Sequence, residues 1–136
     1  MSKIEISYKE DFRTVCSYQG KEIWTDAPKD NEGKGEFFSP TDLLATALGS
    51  CALTLMGIAA KRLGVSMKGV KADVEKTMKL TPVRSIGRLI VHIYFPGVID
   101  EKLTETLERA AKGCPVHYSL HPDVIQEFHF HYSRGK

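Results

Sequence analysis

The stretch SPTDLLATALGSCALTLMGIAAKR, residues 39–62, constrains the chain more than any other, because it predicts one long helix that the rest must accommodate. Ser39 is a strong N-cap, Pro40 sits where a missing N–H costs nothing, and Asp42 suits the positive end of the helix dipole. Gly64, just beyond Lys61 and Arg62, is a stop signal. At about 1.5 Å per residue the helix spans roughly 36 Å from Pro40 to Leu63. Small residues such as Ala45, Gly49, Ala52 and Gly57 are interspersed with Leu44, Leu48, Leu55, Met56 and Ile58. Apolar character therefore extends around most of the circumference, which predicts a mostly buried helix covered on several sides. Gly49 lowers helicity by about 1 kcal/mol relative to Ala, so close packing beside Cys51 is its expected compensation. Thr46, Ser50, Thr54 and the charged flanks argue against a membrane span.

The remaining segments alternate between strand and helix patterns. Residues 3–8 and 11–18 predict two strands joined by a tight turn at Lys9, Glu10 and Asp11, and residues 22–25 complete a meander after Gly20. Residues 27–38 are rich in turn formers and predict a mobile surface loop, either a functional lid beside the cysteine-bearing helix or an idle connector. Beyond the long helix, 68–79 alternates Val70, Ala72 and Val74 with charged residues, and 86–95 is the most β-rich segment. A second amphipathic helix is expected from about Asp100 to Lys112, a short one opens at Cys114, and 124–132 closes the chain as a strand. The order is βββ-α-ββ-α-α-β, an α+β arrangement with antiparallel sheet against the long helix, in a single domain over 1–136.

Charge and cysteine usage narrow the function classes. A net charge of +2 without a Lys/Arg run argues against a nucleic-acid partner. The opening MSKIEISY is charged and alternating, unlike a secretory leader. Three cysteines far apart in sequence are not a disulfide scaffold, so a reduced, cytoplasmic setting is expected, with no membrane partner. Cys51 sits a dozen positions into the helix, where the dipole does little to ionise its thiol. A reactive thiolate there needs a cation from elsewhere in the fold, and burial as a small hydrophobe is the competing reading. Cys114 precedes Pro115 as an N-cap would, so backbone N–H groups can face its sulfur, and His117 is one turn away. Spacing alone does not establish whether the two thiols meet.

At this point two segments become specific together: SPTDLLATALGSC ending at Cys51 and, sixty-three positions later, CPVHYSL from Cys114. The pair resembles the two signature segments of the OsmC/Ohr superfamily, the osmotically inducible and organic hydroperoxide resistance proteins, and length and element order match along essentially the whole chain. The resemblance implies an intertwined homodimer with buried central helices and active sites at the subunit interface. It implies thiol-dependent peroxidase chemistry in oxidative-stress defence, with a small hydroperoxide as substrate, an external dithiol as reductant and no cofactor. Cys51 matches the cysteine that attacks peroxide and Cys114 the one that resolves the sulfenic acid as a disulfide. Arg13 is the best match, by order, for the arginine that stabilises the thiolate, with Arg84 and Arg88 as rivals. The family's glutamate near the helix start is replaced here by Thr41. Asp42 lies about 180° around the helix from Cys51 and reads as a cap, which leaves Glu36 as the replacement carboxylate.

The other features are quieter. Phe37 and Phe38, with Trp24, are candidates to line an apolar substrate pocket, and His117 is a candidate contact to the substrate; core packing is the competing fate of the aromatics. Cys16 shares a strand face with Thr14 and reads as packing. His129 and His131 share a strand face but lack further ligands at useful spacing, so no metal site is expected. Two other classes of function compete with the peroxidase: a non-enzymatic dimer that binds a small ligand or senses oxidation through Cys51, and a fold with inert cysteines. Sustained dithiol-driven turnover separates the first from both.

Overall fold

The structure, a computed structural model, describes residues 2–133. The elements follow the expected order: β1 (Glu5–Tyr8), β2 (Thr14–Tyr18), β3 (Lys21–Thr25), α1 (Pro40–Leu63), β4 (Lys71–Lys79), β5 (Ser85–Phe95), α2 (Glu101–Lys112), α3 (Pro115–Ser119) and β6 (Ile125–Tyr132). The chain divides into two compact units, one ending at Leu44 and the other beginning at Ala45, so the boundary falls inside the first turns of α1.

The first unit is an antiparallel meander in the order β1-β2-β3. Its second turn places Gln19 and Gly20 at φ +50° and +79°, the left-handed pair that matches the twist of a tight hairpin. The first turn is wider than expected. Asp11 and Phe12 are both left-handed, at φ +62° and +66°, so β2 begins at Thr14 rather than at residue 11. Ile6, Cys16 and Ile23 are cross-strand partners on one face, and Ile6 and Ile23 remain exposed there.

The loop after β3 is tied down by its own backbone. A single 3-10 turn at Lys29–Asn31 is followed by hydrogen bonds from Gly33 N–H to Pro28 O (3.0 Å) and from Gly35 N–H to Ala27 O (3.2 Å). A Cβ on Gly33 would fall 1.8 Å from the Ala27 carbonyl oxygen, so only glycine lets the chain cross itself here. The expected free loop is thus a hydrogen-bonded knuckle, and it ends where Asp26 N–H meets Phe38 O at 3.1 Å.

Helix α1 opens with a reciprocal cap: Asp42 N–H donates to Ser39 Oγ (3.1 Å) while Ser39 N–H donates to Asp42 Oδ2 (2.9 Å). It ends with Gly64 at φ +73° and Val65 N–H on Ala60 O at 2.8 Å, the Schellman arrangement. In the second unit Leu48, Ala52, Met56 and Ala60, each one turn apart, enter a core with Leu89, Val91, Ile93 and Phe95 of β5 and Leu107 and Ala111 of α2. By length and composition alone α1 is apolar enough to cross a membrane. The expectation of a mostly buried helix is corrected within one chain: a single stripe is buried, while Leu44 and Ile58 stay exposed.

The second sheet has the order β4-β5-β6. The β4–β5 pair is antiparallel, but β6 runs parallel to β5, which corrects the expectation of a wholly antiparallel sheet. The reason lies in the connection: α2 and α3 intervene between β5 and β6 and return the chain to the starting end of β5. A bulge at Thr77/Met78 leaves Gly87 as the extra residue of β5, so the buried positions step from Ile86 to Leu89 before alternation resumes.

Candidate functional site

The candidate side chains fall into two groups, one in each unit. In the second unit Cys114 is completely buried in the core and Cys51, half-buried on α1, packs against that core. Both are free thiols, and Cys51 lies near enough to Cys114 to raise its pKa. The tertiary fold therefore brings together the two cysteines that spacing alone leaves apart.

Cys114 is the N-cap of α3, with Pro115 at the first helical position. Its Sγ accepts the backbone N–H of His117 at 3.2 Å. Burial in the apolar core nevertheless dominates and pushes the thiol above its ordinary value, reinforced by the neighbouring Cys51 and opposed by the N–H groups of His117 and Val116. The local helix geometry points towards an ionised sulfur at Cys114, and desolvation reverses it.

His117 serves Cys114 through its backbone and not through its ring. Its Nδ1–H donates to Gln126 Oε1 at 2.6 Å, and Gln126 Nε2 donates back to the His117 carbonyl at 3.1 Å. The ring also meets Phe128 edge-on at 5.6 Å between centroids. Gln126 was not legible as a site residue, because its partner lies on another element and no local pattern marks it.

In the first unit Arg13, in the turn that precedes β2, is paired through Nη2 with Glu36 Oε1. The same nitrogen lies 3.6 Å from Asp26 Oδ2. The Phe37 ring covers the guanidinium at 5.2 Å from its centroid, and Trp24 leans on Phe37 at 6.0 Å. Phe38 is exposed and holds the loop through its carbonyl. Asp26 is buried and Glu36 N–H donates to its Oδ2 at 3.1 Å. The sequence reading missed Asp26 because a lone acid after a strand has no distinguishing pattern; only burial singles it out.

The rival arginines fall elsewhere. Arg88 lies on the solvent side of β5, next to the core-facing Leu89, and pairs with Glu127 at 3.4 Å. Arg84 lies in the exposed turn before β5. Thr41 Oγ1 lies 3.1 Å from Ser39 Oγ in the cap of α1, and Asp42 is engaged in the same cap. On the outer face of the second sheet His92 Nδ1 meets His131 Nε2 at 3.1 Å, and His92 Nε2 meets Glu75 at 2.7 Å; His129 stacks on His92. Among the described residues no group of three such side chains is arranged to hold a metal ion.

Comparison with known proteins agrees with this architecture. The family model described as OsmC-like protein matches residues 33–127. A crystal structure from Psychrobacter arcticus 273-4, named as an osmotic stress induced and detoxification response protein, is 41% identical, with 96% of each chain covered and a TM-score of 0.91. An OsmC-like protein from Mycoplasma pneumoniae shares the fold at 18% identity, 98% of each chain and a TM-score of 0.81. An organic hydroperoxide resistance protein OsmC from Legionella pneumophila does so at 16% identity, 96% of each chain and a TM-score of 0.76. No curated protein matches the chain. With most of its length matched by the family model and a 41% identical relative covered over 96% of each chain, the chain belongs to the OsmC-like protein family.

Proposed function

We propose that the protein is a thiol peroxidase acting on organic hydroperoxides or hydrogen peroxide through Cys51 and Cys114, as a homodimer in a reducing cytoplasm. The observation that carries the reading is the pair of free thiols close enough to influence one another, one half-buried and one fully buried. The more accessible Cys51 is the attacker. Its thiolate displaces alkoxide from the O–O bond, the alkoxide leaves as alcohol after taking a proton, and Cys51 becomes a sulfenic acid. Cys114, held protonated by burial until it is needed, then attacks that sulfur; water leaves and a Cys51–Cys114 disulfide forms. An external dithiol reduces the disulfide and is itself oxidised.

In this reading Arg13 is assigned as the family's arginine, and Glu36 takes the part of the glutamate replaced by Thr41. Their ion pair supports the assignment. Phe37 and Phe38 offer apolar surface to the organic group of the peroxide, and His117 orients the Cys114 turn. Stopped-flow peroxide consumption in the presence of a dithiol tests the scheme. Cys51→Ser abolishes consumption, whereas Cys114→Ser retains one turnover that ends in a trappable sulfenic acid. Undiminished consumption by Cys51→Ser overturns the proposal.

A further inference from the structure

Among the described residues Asp26 is the one charged side chain that is fully buried, at 1% exposure. An ionised carboxylate in such a place is costly unless it is paired and hydrogen-bonded. Its pairing is incomplete in an informative way. Oδ2 accepts the Glu36 N–H at 3.1 Å and faces Arg13 Nη2 at 3.6 Å, while Oδ1 is buried without a partner. On Arg13, whose Nη2 faces that carboxylate, Nε is buried without a partner as well. A donor and an acceptor left over on two neighbouring side chains are the halves of a side-on bidentate pair, in which Nε–H and Nη2–H meet the two carboxylate oxygens.

We propose that Asp26 is the positioning residue for Arg13, and that Glu36 is the exposed clasp that shares the guanidinium with it. The two carboxylates differ in what they can hold. The Glu36 side chain is 56% exposed, so water and salt screen its attraction; that of Asp26 is fully buried and its attraction is screened far less. Asp26 also binds the Glu36 backbone, so one buried group sets both the arginine and the loop end that bears the second acid. The Phe37 ring lies over the guanidinium, and Asp26 and Glu36 are its acidic partners. For its consequence on Cys51 this inference rests on the peroxidase reading; the pairing itself does not.

The test compares Asp26→Asn and Glu36→Gln in the full-length protein by two measurements. Nitrogen-15 NMR follows solvent exchange of the Arg13 Nε–H, and mass mapping follows the rate of Cys51 alkylation by iodoacetamide at neutral pH. Asp26→Asn speeds the Nε–H exchange about tenfold or more and slows Cys51 alkylation by about tenfold; Glu36→Gln changes each by less than about threefold. Should Asp26→Asn fail to fold, Asp26→Ser, which leaves room for a water, is read in the same way. Unchanged Nε–H exchange in the Asp26 variants, or a larger effect from Glu36→Gln, overturns the proposal. The exchange needs no peroxide: a parent protein without peroxidase activity would sink the peroxidase reading and leave the Arg13–Asp26 pairing measurable.

Discussion

At Cys114 two local forces oppose each other: N–H groups of α3 favour the thiolate, and burial favours the thiol. Burial wins, so the folded-state pKa is raised above that of the unfolded chain, which is about 8.5 for a cysteine. The sign follows from linkage. Below the unfolded value both states keep the proton and the contribution is whole; above it the unfolded chain loses its proton first, and stability falls until the folded thiol titrates. The urea midpoint of the parent is therefore expected to fall as pH rises above about 8.5, and Cys114→Ala to flatten that fall. Tyr132 adds a loss of the same sign from about pH 10, because burial and its hydrogen bond to Glu108 raise its phenol too. A slope between about 8.5 and 10 that survives in Cys114→Ala would count against burial as the dominant force.

At the scale of the element, α1 depends on one missing side chain. A Cβ on Gly49 would lie 2.8 Å from a methyl of Val74, so the helix meets β4 at the position preceding the Ser50–Cys51 pair. Gly49→Ala gains about 1 kcal/mol of helix propensity but incurs overpacking of about 1–3 kcal/mol. The expected outcome is a net loss of about 1 kcal/mol in chemical denaturation. In a Val74→Ala background the clash disappears and the same substitution becomes stabilising, which a double-mutant cycle measures directly. Equal effects in both backgrounds would show that Val74 does not set the approach of β4 to α1.

For the whole molecule, the pattern of exposure bears on assembly. Ile4, Ile6, Tyr8 and Ile23 of the first unit are each more than half exposed, and Leu44 and Ile58 of α1 are also exposed. Apolar surface on this scale is characteristic of contact sites, and a homodimer places it against a second copy. Sedimentation velocity is expected to return twice the mass of the chain, and Ile6→Glu to shift it towards the monomer; a monomeric parent would remove the dimer from the proposed mechanism. Much of this molecule was legible along the chain. The α1 cap at Ser39 and Asp42, its stop at Gly64, the strand alternation and the element order all arise from interactions within a few residues, where sequence and structure are nearly the same thing. Tertiary structure decided the rest: the meeting of Cys51 with Cys114, the parallel seat of β6, the turn of the His117 ring towards Gln126 and the burial of Asp26 beside Arg13. Each of these joins groups distant along the chain or depends on how much water the packing removes, and neither contact nor desolvation is written into a local run of residues.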